Sequence, residues 1–208
     1  MITIMLVEDQ ALLRDAMNTL LGLETDLEVV FKCEDGDQAK QFIENECLTE
    51  QSVPLPDIIL SDIEMPNLSG LGLAQWVSER GIASKFVIMT TFAKPGYVQR
   101  ALSYGAQGFI LKEASSDYLV NSIRQIASGK RIIDPELALM ALGETDPLSE
   151  KERKALALVS EGMKTQDIAD KLFLSTGTVR NYLSEAISKL QASNRIDAAR
   201  IAKQKGWL

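Results

Sequence analysis

The sequence has 208 residues, of which 46% are hydrophobic and 25% are charged, so it is long enough for two modest domains with a core each. It contains no histidine, which excludes Ser-His-Asp and Cys-His catalysis as well as metal sites built on histidine ligands. The formal charge of −7 is unevenly spread. Residues 146–208 hold 11 Lys and Arg against 8 Asp and Glu, a net of +3, which leaves −10 for residues 1–145. This asymmetry hints at nucleic-acid contact, although a solvated charged surface also explains it.

Short apolar segments alternate with amphipathic segments through the first 127 residues. The predicted strands are 2–7, 27–33, 58–61, 86–90 and 109–111. The predicted helices are 11–21, 37–46, 71–80, 97–104 and 117–127. Five βα repeats with nearly continuous apolar strands indicate a parallel sheet covered by helices on both faces. Because such crossovers are right-handed, we expect an α/β doubly wound, flavodoxin-like, five-stranded sheet in the order 2-1-3-4-5.

Two segments interrupt this rhythm. Residues 47–56 contain Pro54 and Pro56 and are predicted to be a loop. Residues 128–147 lack a clean pattern, and we place a linker there between a first domain at 1–127 and a second at 148–208.

After Pro147 the pattern is helical throughout. Ser149 and Glu152 match a capping box, and Thr165, Ser175 and Asn194 are candidate caps of three further helices that end near residues 172, 190 and 205. Four short helices in about 60 residues predict a small all-α domain.

The spacing of the cysteines and the hydropathy of the chain indicate the cellular compartment that we expect for the protein. Cys33 and Cys47 form no CxxC pattern, so neither a disulfide framework nor a zinc site is indicated. The apolar N-terminus lacks a basic lead, and Glu8-Asp9 interrupts it, so it does not resemble a signal peptide. No apolar run approaches the ~20 residues that span a bilayer. We therefore expect a cytoplasmic protein without membrane insertion.

A group of chemically capable residues is predicted at the carboxyl ends of the strands. Glu8 and Asp9 follow the first strand, Asp62 the third, Thr90 ends the fourth and Lys112 follows the fifth. In a doubly wound sheet these ends meet at one edge, where ligands bind. An oxygen-only cluster suits Mg²⁺, and Asp62 could attack a phosphoryl group while Lys112 and the cation offset its charge. Each residue alone is more simply explained as a solvated or capping group.

The sequence at these positions resembles the receiver domain of two-component response regulators. The resemblance extends over nearly all of residues 1–127. It rests on four blocks: LVEDQ (6–10), LSDIEMPNLSG (60–70), MTTFAKPGY (89–97) and GFILKEAS (108–115).

The resemblance implies roles for particular residues. It implies that Asp62 is the phospho-acceptor, that Asp9 binds Mg²⁺ directly and Glu8 through water, and that Thr90 and Lys112 are switch residues.

It further implies that Glu64 supplies a backbone carbonyl to the metal and that Phe109 is the aromatic residue that changes rotamer on activation. Glu64 and Phe92 match positions that tune dephosphorylation in that family. Glu113 replaces the proline that commonly follows the lysine.

The C-terminal part resembles the helix-turn-helix output domain of the NarL/FixJ (LuxR-type) subclass, through residues 148–190 and their continuation NRIDAARIAKQKGW. Together with TTFAKPGY it is similar to the regulators of membrane-lipid fluidity in bacilli. The helix from Thr176 is expected to enter the major groove of promoter DNA.

Two sets of DNA contacts follow from that placement. Side chains expected to face the bases are Thr178, Arg180, Asn181 and Ser184. Side chains expected to contact phosphates are Lys164, Thr165, Ser175, Thr176, Tyr182 and Lys189. Val179, Leu183 and Ile187 have the helical spacing of core residues.

The resemblance implies a transcription factor that a sensor histidine kinase phosphorylates on Asp62, which promotes homodimerisation and so control of transcription. It implies no turnover enzyme. Two alternatives remain at this point: a receiver-like regulator that works without phosphorylation, and an aspartyl-phosphate phosphatase of the haloacid dehalogenase type. The adjacent acids after the first strand speak against the phosphatase, whose nucleophile would follow that strand.

Overall fold

The computed structural model describes residues 1–91, 94–141 and 145–208, without the side chains of residues 140 and 141. Residues 1–91 and 98–139 belong to one compact unit, and residues 145–208 belong to a second. Within the described residues, no helix combines the length and the apolar character that a membrane span needs.

The first unit is built on a parallel sheet in the order β2-β1-β3-β4-β5-β6. The strands are β1 (Ile2–Val7), β2 (Leu27–Cys33), β3 (Ile58–Asp62), β4 (Lys85–Thr90), β5 (Gly108–Leu111) and β6 (Ile132–Ile133). The predicted doubly wound fold and the order of its first five strands are confirmed. The five-strand count was wrong, because the chain after the fifth helix returns to the sheet, where the amide of Ile132 donates to Gln107 O at 2.8 Å. A two-residue strand is too short to give a periodic signal.

The helices that lie between successive strands along the chain are α1 (Ala11–Gly22), α2 (Gly36–Phe42), α3 (Gly70–Glu79), α4 (Pro95–Ser103) and α5 (Ser116–Ala127). Apolar side chains of β1, β3, β4 and β5 pack against α1 and α5 to form one core, in which Leu6, Leu21, Leu60 and Ile123 are fully or almost fully buried. Because the paired strands are parallel, their carboxyl ends lie at one edge of the sheet.

The second helix continues as a π-helix over Ile43–Thr49. The amide of Glu50 donates to Asn45 O, and the hydroxyl of Thr49 to Glu44 O at 2.6 Å. The helix therefore extends into the predicted 47–56 loop, a local change of hydrogen-bond register that apolar periodicity does not reveal.

The predicted linker at 128–147 is only partly irregular. It contains β6 and a further helix, α6 (Pro135–Ala141), whose first turn Asp134 caps by accepting from the amide of Glu136 at 3.0 Å. The first compact unit extends to residue 139. Secondary structure therefore lies where the sequence predicted a linker.

The second unit contains α7 (Glu150–Ser160), α8 (Thr165–Leu172), α9 (Thr176–Lys189) and α10 (Arg195–Lys205). The four predicted helices are confirmed, as is the capping box of Ser149 and Glu152. Ser175 and Asn194 cap α9 and α10. Thr165 does not cap α8 but is its first residue, and its hydroxyl accepts from Arg195 at 2.8 Å.

Candidate functional site

Five residues of the first unit lie where the parallel strands end. Glu8 and Asp9 follow β1, and Lys112 follows β5. Asp62 is the last residue of β3 and pairs in register with Met89, while Thr90 ends β4 and pairs with Leu111. The register therefore brings the predicted residues to one edge of the sheet.

The ammonium group of Lys112 links two carboxylates at this edge. Its Nζ lies 2.7 Å from Oε2 of Glu8 and 2.9 Å from Oδ2 of Asp62. The side chains of all three are at most 9% exposed, so the pairs are largely shielded from water. Burial lowers the pKa of Lys112, but its hydrogen bonds to Glu8 and Asp62 and the negative charges of these two carboxylates together outweigh burial and raise the pKa. Lys112 therefore stays charged.

The carboxylates themselves fit a small divalent cation. One oxygen each of Glu8, Asp9 and Asp62 lie within 4.8 Å of one another. Burial raises the pKa of Glu8, and the negative charge of Asp62 adds to this effect, while Lys112 opposes it. Asp9 is exposed to solvent, which leaves an open side for bound water. An all-oxygen set of this kind suits Mg²⁺ rather than a soft metal.

A cavity of about 120 Å³ opens beside Asp62 and is large enough for a phosphoryl group. Its lining residues are Gln10, Asp62, Glu64, Thr90, Thr91 and Lys112. Thr90 is 3% exposed. The sequence reasoning did not single out Gln10 or Thr91, although each directly follows a predicted site residue. Chain adjacency was the signal that could have found them.

The structure bears differently on three further residues to which the resemblance gave a role. Glu64 lines the cavity, and its role as a carbonyl ligand stays a prediction. Phe109 is fully buried in β5, where it pairs with Ile88 and Ile133. Phe92 lies outside the described residues.

In the second unit, α9 presents one buried and one exposed face. Val179 and Leu183 are buried and Ile187 packs against the same core, so this part of the prediction is confirmed. Arg180, Asn181 and Ser184 are exposed. These three side chains therefore lie on the exposed face of α9.

The remaining candidates for DNA contact lie on α8 and α9 and at the residues just before these two helices. Lys164 is exposed, and Ser175 at the start of α9 is hydrogen-bonded through its hydroxyl to that of Thr178 at 2.8 Å. Thr176 is half-buried, and Tyr182 packs against the core of the unit.

Lys189 differs from the other candidates. It lies at the opposite end of α9, about 20 Å from Thr176 along the helix axis. Its Nζ contacts both carboxylate oxygens of the buried Glu152 at 2.8 Å. This ion pair gives Lys189 a structural role within the unit, and its contact with phosphate stays a prediction.

The comparison with known families agrees with both units. Residues 4–124 match the family described as "Response regulator receiver domain", and residues 146–202 match "Bacterial regulatory proteins, luxR family". The chain belongs to the response regulator family. As a response regulator, it carries a receiver domain followed by a LuxR-type DNA-binding domain, as the sequence predicted.

Relatives of this response regulator share its full length. The transcriptional regulatory protein DesR of Bacillus subtilis is 42% identical over 207 residues, which cover 100% of this chain and 99% of DesR. The uncharacterized transcriptional regulatory protein YvfU of the same organism is 43% identical over 208 residues, 100% of both chains. A crystal structure of the response regulator ChrA, from a heme-sensing two-component system, matches with a TM-score of 0.55 and 26% identity, covering 100% of this chain and 98% of ChrA.

Proposed function

We propose that Asp62 of this response regulator accepts a phosphoryl group from a partner histidine kinase, and that the phosphorylated chain forms a homodimer that binds promoter DNA. The observation that carries the proposal is the double contact of Lys112 with Glu8 and Asp62 beside a phosphoryl-sized cavity. A solvated acid at a strand end would have neither the buried ammonium nor the neighbouring carboxylates.

The orientation of Asp62 supports its role as nucleophile. Its Oδ1 accepts from the amide of Ile63 at 2.7 Å, and its Oδ2 faces Lys112. A carboxylate oxygen of Asp62 attacks the phosphorus of a phosphohistidine, and the P–N bond breaks as the P–O bond forms. The electron pair of the broken bond goes to the imidazole nitrogen, which takes a proton from water.

Charge neutralisation lets an anionic nucleophile approach an anionic phosphoryl group. Glu8, Asp9 and Asp62 would hold a Mg²⁺ ion, which would supply part of that neutralisation. Lys112 remains charged and offers a donor to a phosphoryl oxygen, and Thr90 lines the same cavity. The chain is thus a stoichiometric phosphoryl acceptor rather than a turnover enzyme.

The second unit binds DNA through α9. Its capped N-terminus and the exposed Arg180 and Asn181 suit insertion into the major groove, where arginine reads guanine and asparagine reads adenine. Two linked output domains bind two half-sites at a high effective concentration, so dimerisation raises DNA affinity without new contacts. Phosphorylation acts by shifting the population between two existing states of the receiver.

Sedimentation tests this function with beryllofluoride, a phosphoryl mimic, and Mg²⁺. We expect the molecular mass to double on saturation and the affinity for promoter DNA to rise. The Asp62→Asn variant should remain monomeric under the same conditions. A wild-type chain that binds DNA equally well with and without the mimic would favour the regulator that works without phosphorylation.

A further inference from the structure

The loop that carries Glu8 and Asp9 is held from behind by a residue that no motif of the site includes. Arg14 lies in the second turn of α1, and its side chain is 13% exposed. Its Nη1 donates to the backbone carbonyl of Glu8 at 2.6 Å and lies 3.5 Å from that of Asp9. One guanidinium nitrogen therefore faces the backbone of both acidic residues.

A second contact fixes the guanidinium itself. Nη2 of Arg14 lies 3.3 Å from Oε1 of Glu34, which follows the last residue of β2. The amide of Glu8 donates to Cys33 O at 3.0 Å, at the end of the same strand. Both backbone groups of Glu8 therefore make hydrogen bonds. Its amide donates directly to the end of β2, and its carbonyl accepts from Arg14.

We propose, on the basis of the proposed function, that Arg14 is a positioning residue for divalent-cation binding, and that it acts through the Glu8 and Asp9 backbone rather than through its charge. Lysine in its place keeps the charge but loses the planar fork that reaches the Glu8 carbonyl and Glu34 together. Groups that orient metal ligands in this way typically change metal affinity by about 10–100-fold when they are removed.

Charge and positioning predict opposite results. If the guanidinium acted only as a nearby positive charge, its removal would strengthen cation binding, because like charges repel. If it positions the loop, its removal weakens binding. The sign of the change therefore distinguishes the two roles.

The experiment measures Mn²⁺ affinity of the full chain by the electron paramagnetic resonance signal of the free ion. We expect Arg14→Met to raise the Mn²⁺ dissociation constant about 10-fold or more, and Arg14→Lys to raise it less. Lys32→Met is the matched control, since Lys32 pairs with Asp15 at 3.1 Å, also between β2 and α1, and is not among the described hydrogen-bond or ion-pair partners of Glu8 and Asp9. Lys32→Met should bind Mn²⁺ as the wild type does.

A second measurement separates an effect on metal binding from an effect on the phosphorylation step. The Mg²⁺ concentration that half-saturates labelling of Arg14→Lys by acetyl phosphate should rise, while the rate at saturating Mg²⁺ should return to within about twofold of the wild type.

Unchanged or tighter Mn²⁺ binding in a folded Arg14→Met chain overturns the proposal. If that variant does not fold, wild-type affinity in Arg14→Lys overturns it instead. A wild-type chain that binds no Mn²⁺ would contradict the metal site of the proposed function and this inference with it, whereas equal binding by the wild type and the Arg14 variants contradicts the inference alone.

Discussion

Nζ of Lys112 lies 2.9 Å from Oδ2 of Asp62, and the same atom lies 2.7 Å from Oε2 of Glu8. A single buried ammonium group therefore balances two buried carboxylates at the edge of the sheet. Lys112 thus contacts two of the three carboxylates that form the candidate metal site.

Removing this ammonium group should destabilise the first unit. We expect Lys112→Met to lower the free energy of unfolding by about 3–5 kcal/mol at neutral pH, because Glu8 and Asp62 are left buried without a counter-charge. Mg²⁺ should restore more stability in this variant than in the wild type, because the ion takes over the missing charge. Denaturant titrations with and without Mg²⁺ measure both effects.

The control is Lys32→Met, which breaks an exposed ion pair and should change stability by no more than about 1 kcal/mol. Equal stability of Lys112→Met and Lys32→Met would contradict the role of Lys112 as the internal counter-charge.

Gly70 leaves the room that the chain needs at Asp62. A Cβ atom at position 70 would overlap the backbone carbonyl of Asp62, so the end of β3 would have to shift. We expect Gly70→Ala to cost roughly 1–3 kcal/mol of stability and to slow phosphorylation of Asp62. Chemical denaturation and labelling by acetyl phosphate measure the two changes.

Gly22 provides the matched substitution, because a Cβ there has no neighbour within 4 Å. Since Gly22 is the last residue of α1, Gly22→Ala should stabilise the chain by no more than about 0.5 kcal/mol and leave phosphorylation unchanged. Slower phosphorylation in both variants would mean that the effect does not arise from the overlap with Asp62.

Two basic residues of α9, Arg180 and Lys189, are expected to differ in their contribution to DNA affinity. Arg180→Ala should cost about 1–3 kcal/mol on the cognate site and relax the preference for one base pair, because an exposed arginine at the start of the helix can read guanine. Lys189→Met should change DNA affinity much less, because the ammonium is engaged with Glu152, so that the phosphate contact predicted for Lys189 contributes little. Fluorescence anisotropy on cognate and substituted sites compares them, and unchanged affinity of Arg180→Ala would refute its role.

Glu152 makes the second unit sensitive to acid. Its carboxylate is buried, which raises its pKa, but Lys189, the amide of Ser149 and a hydrogen bond with Glu185 together outweigh burial and lower the pKa. Because the folded pKa is the lower one, the stabilisation is complete above the unfolded value of about 4.3 and is lost as pH falls through the folded value.

Hydrogen exchange of α7 and α9 amides at neutral and acidic pH measures this loss. Glu152→Gln should destabilise the unit by about 1–2 kcal/mol at neutral pH and should flatten the dependence on pH. A wild-type unit with the same protection at both pH values would contradict the assignment.

The sequence predicted the candidate site because its residues follow apolar strands, and parallel strands end at one edge. Asp62, Thr90 and Lys112 could be placed from periodicity alone. The contact of Arg14 with the Glu8 carbonyl could not, because it depends on how the guanidinium folds back over the loop. The Lys189–Glu152 pair joins residues 37 positions apart on two helices, and helical periodicity says nothing of such partners.

The phosphorylation of Asp62 is tested most directly by incubating the full chain with acetyl phosphate and Mg²⁺, reducing the product with borohydride and mapping the modified aspartate by mass spectrometry. Asp15→Asn serves as a control, since Asp15 is an exposed carboxylate on α1. The account predicts a single Mg²⁺-dependent modification at position 62, retained in Asp15→Asn and lost in Asp62→Asn. Undiminished labelling of Asp62→Asn, or a wild-type chain that remains unlabelled, would contradict it.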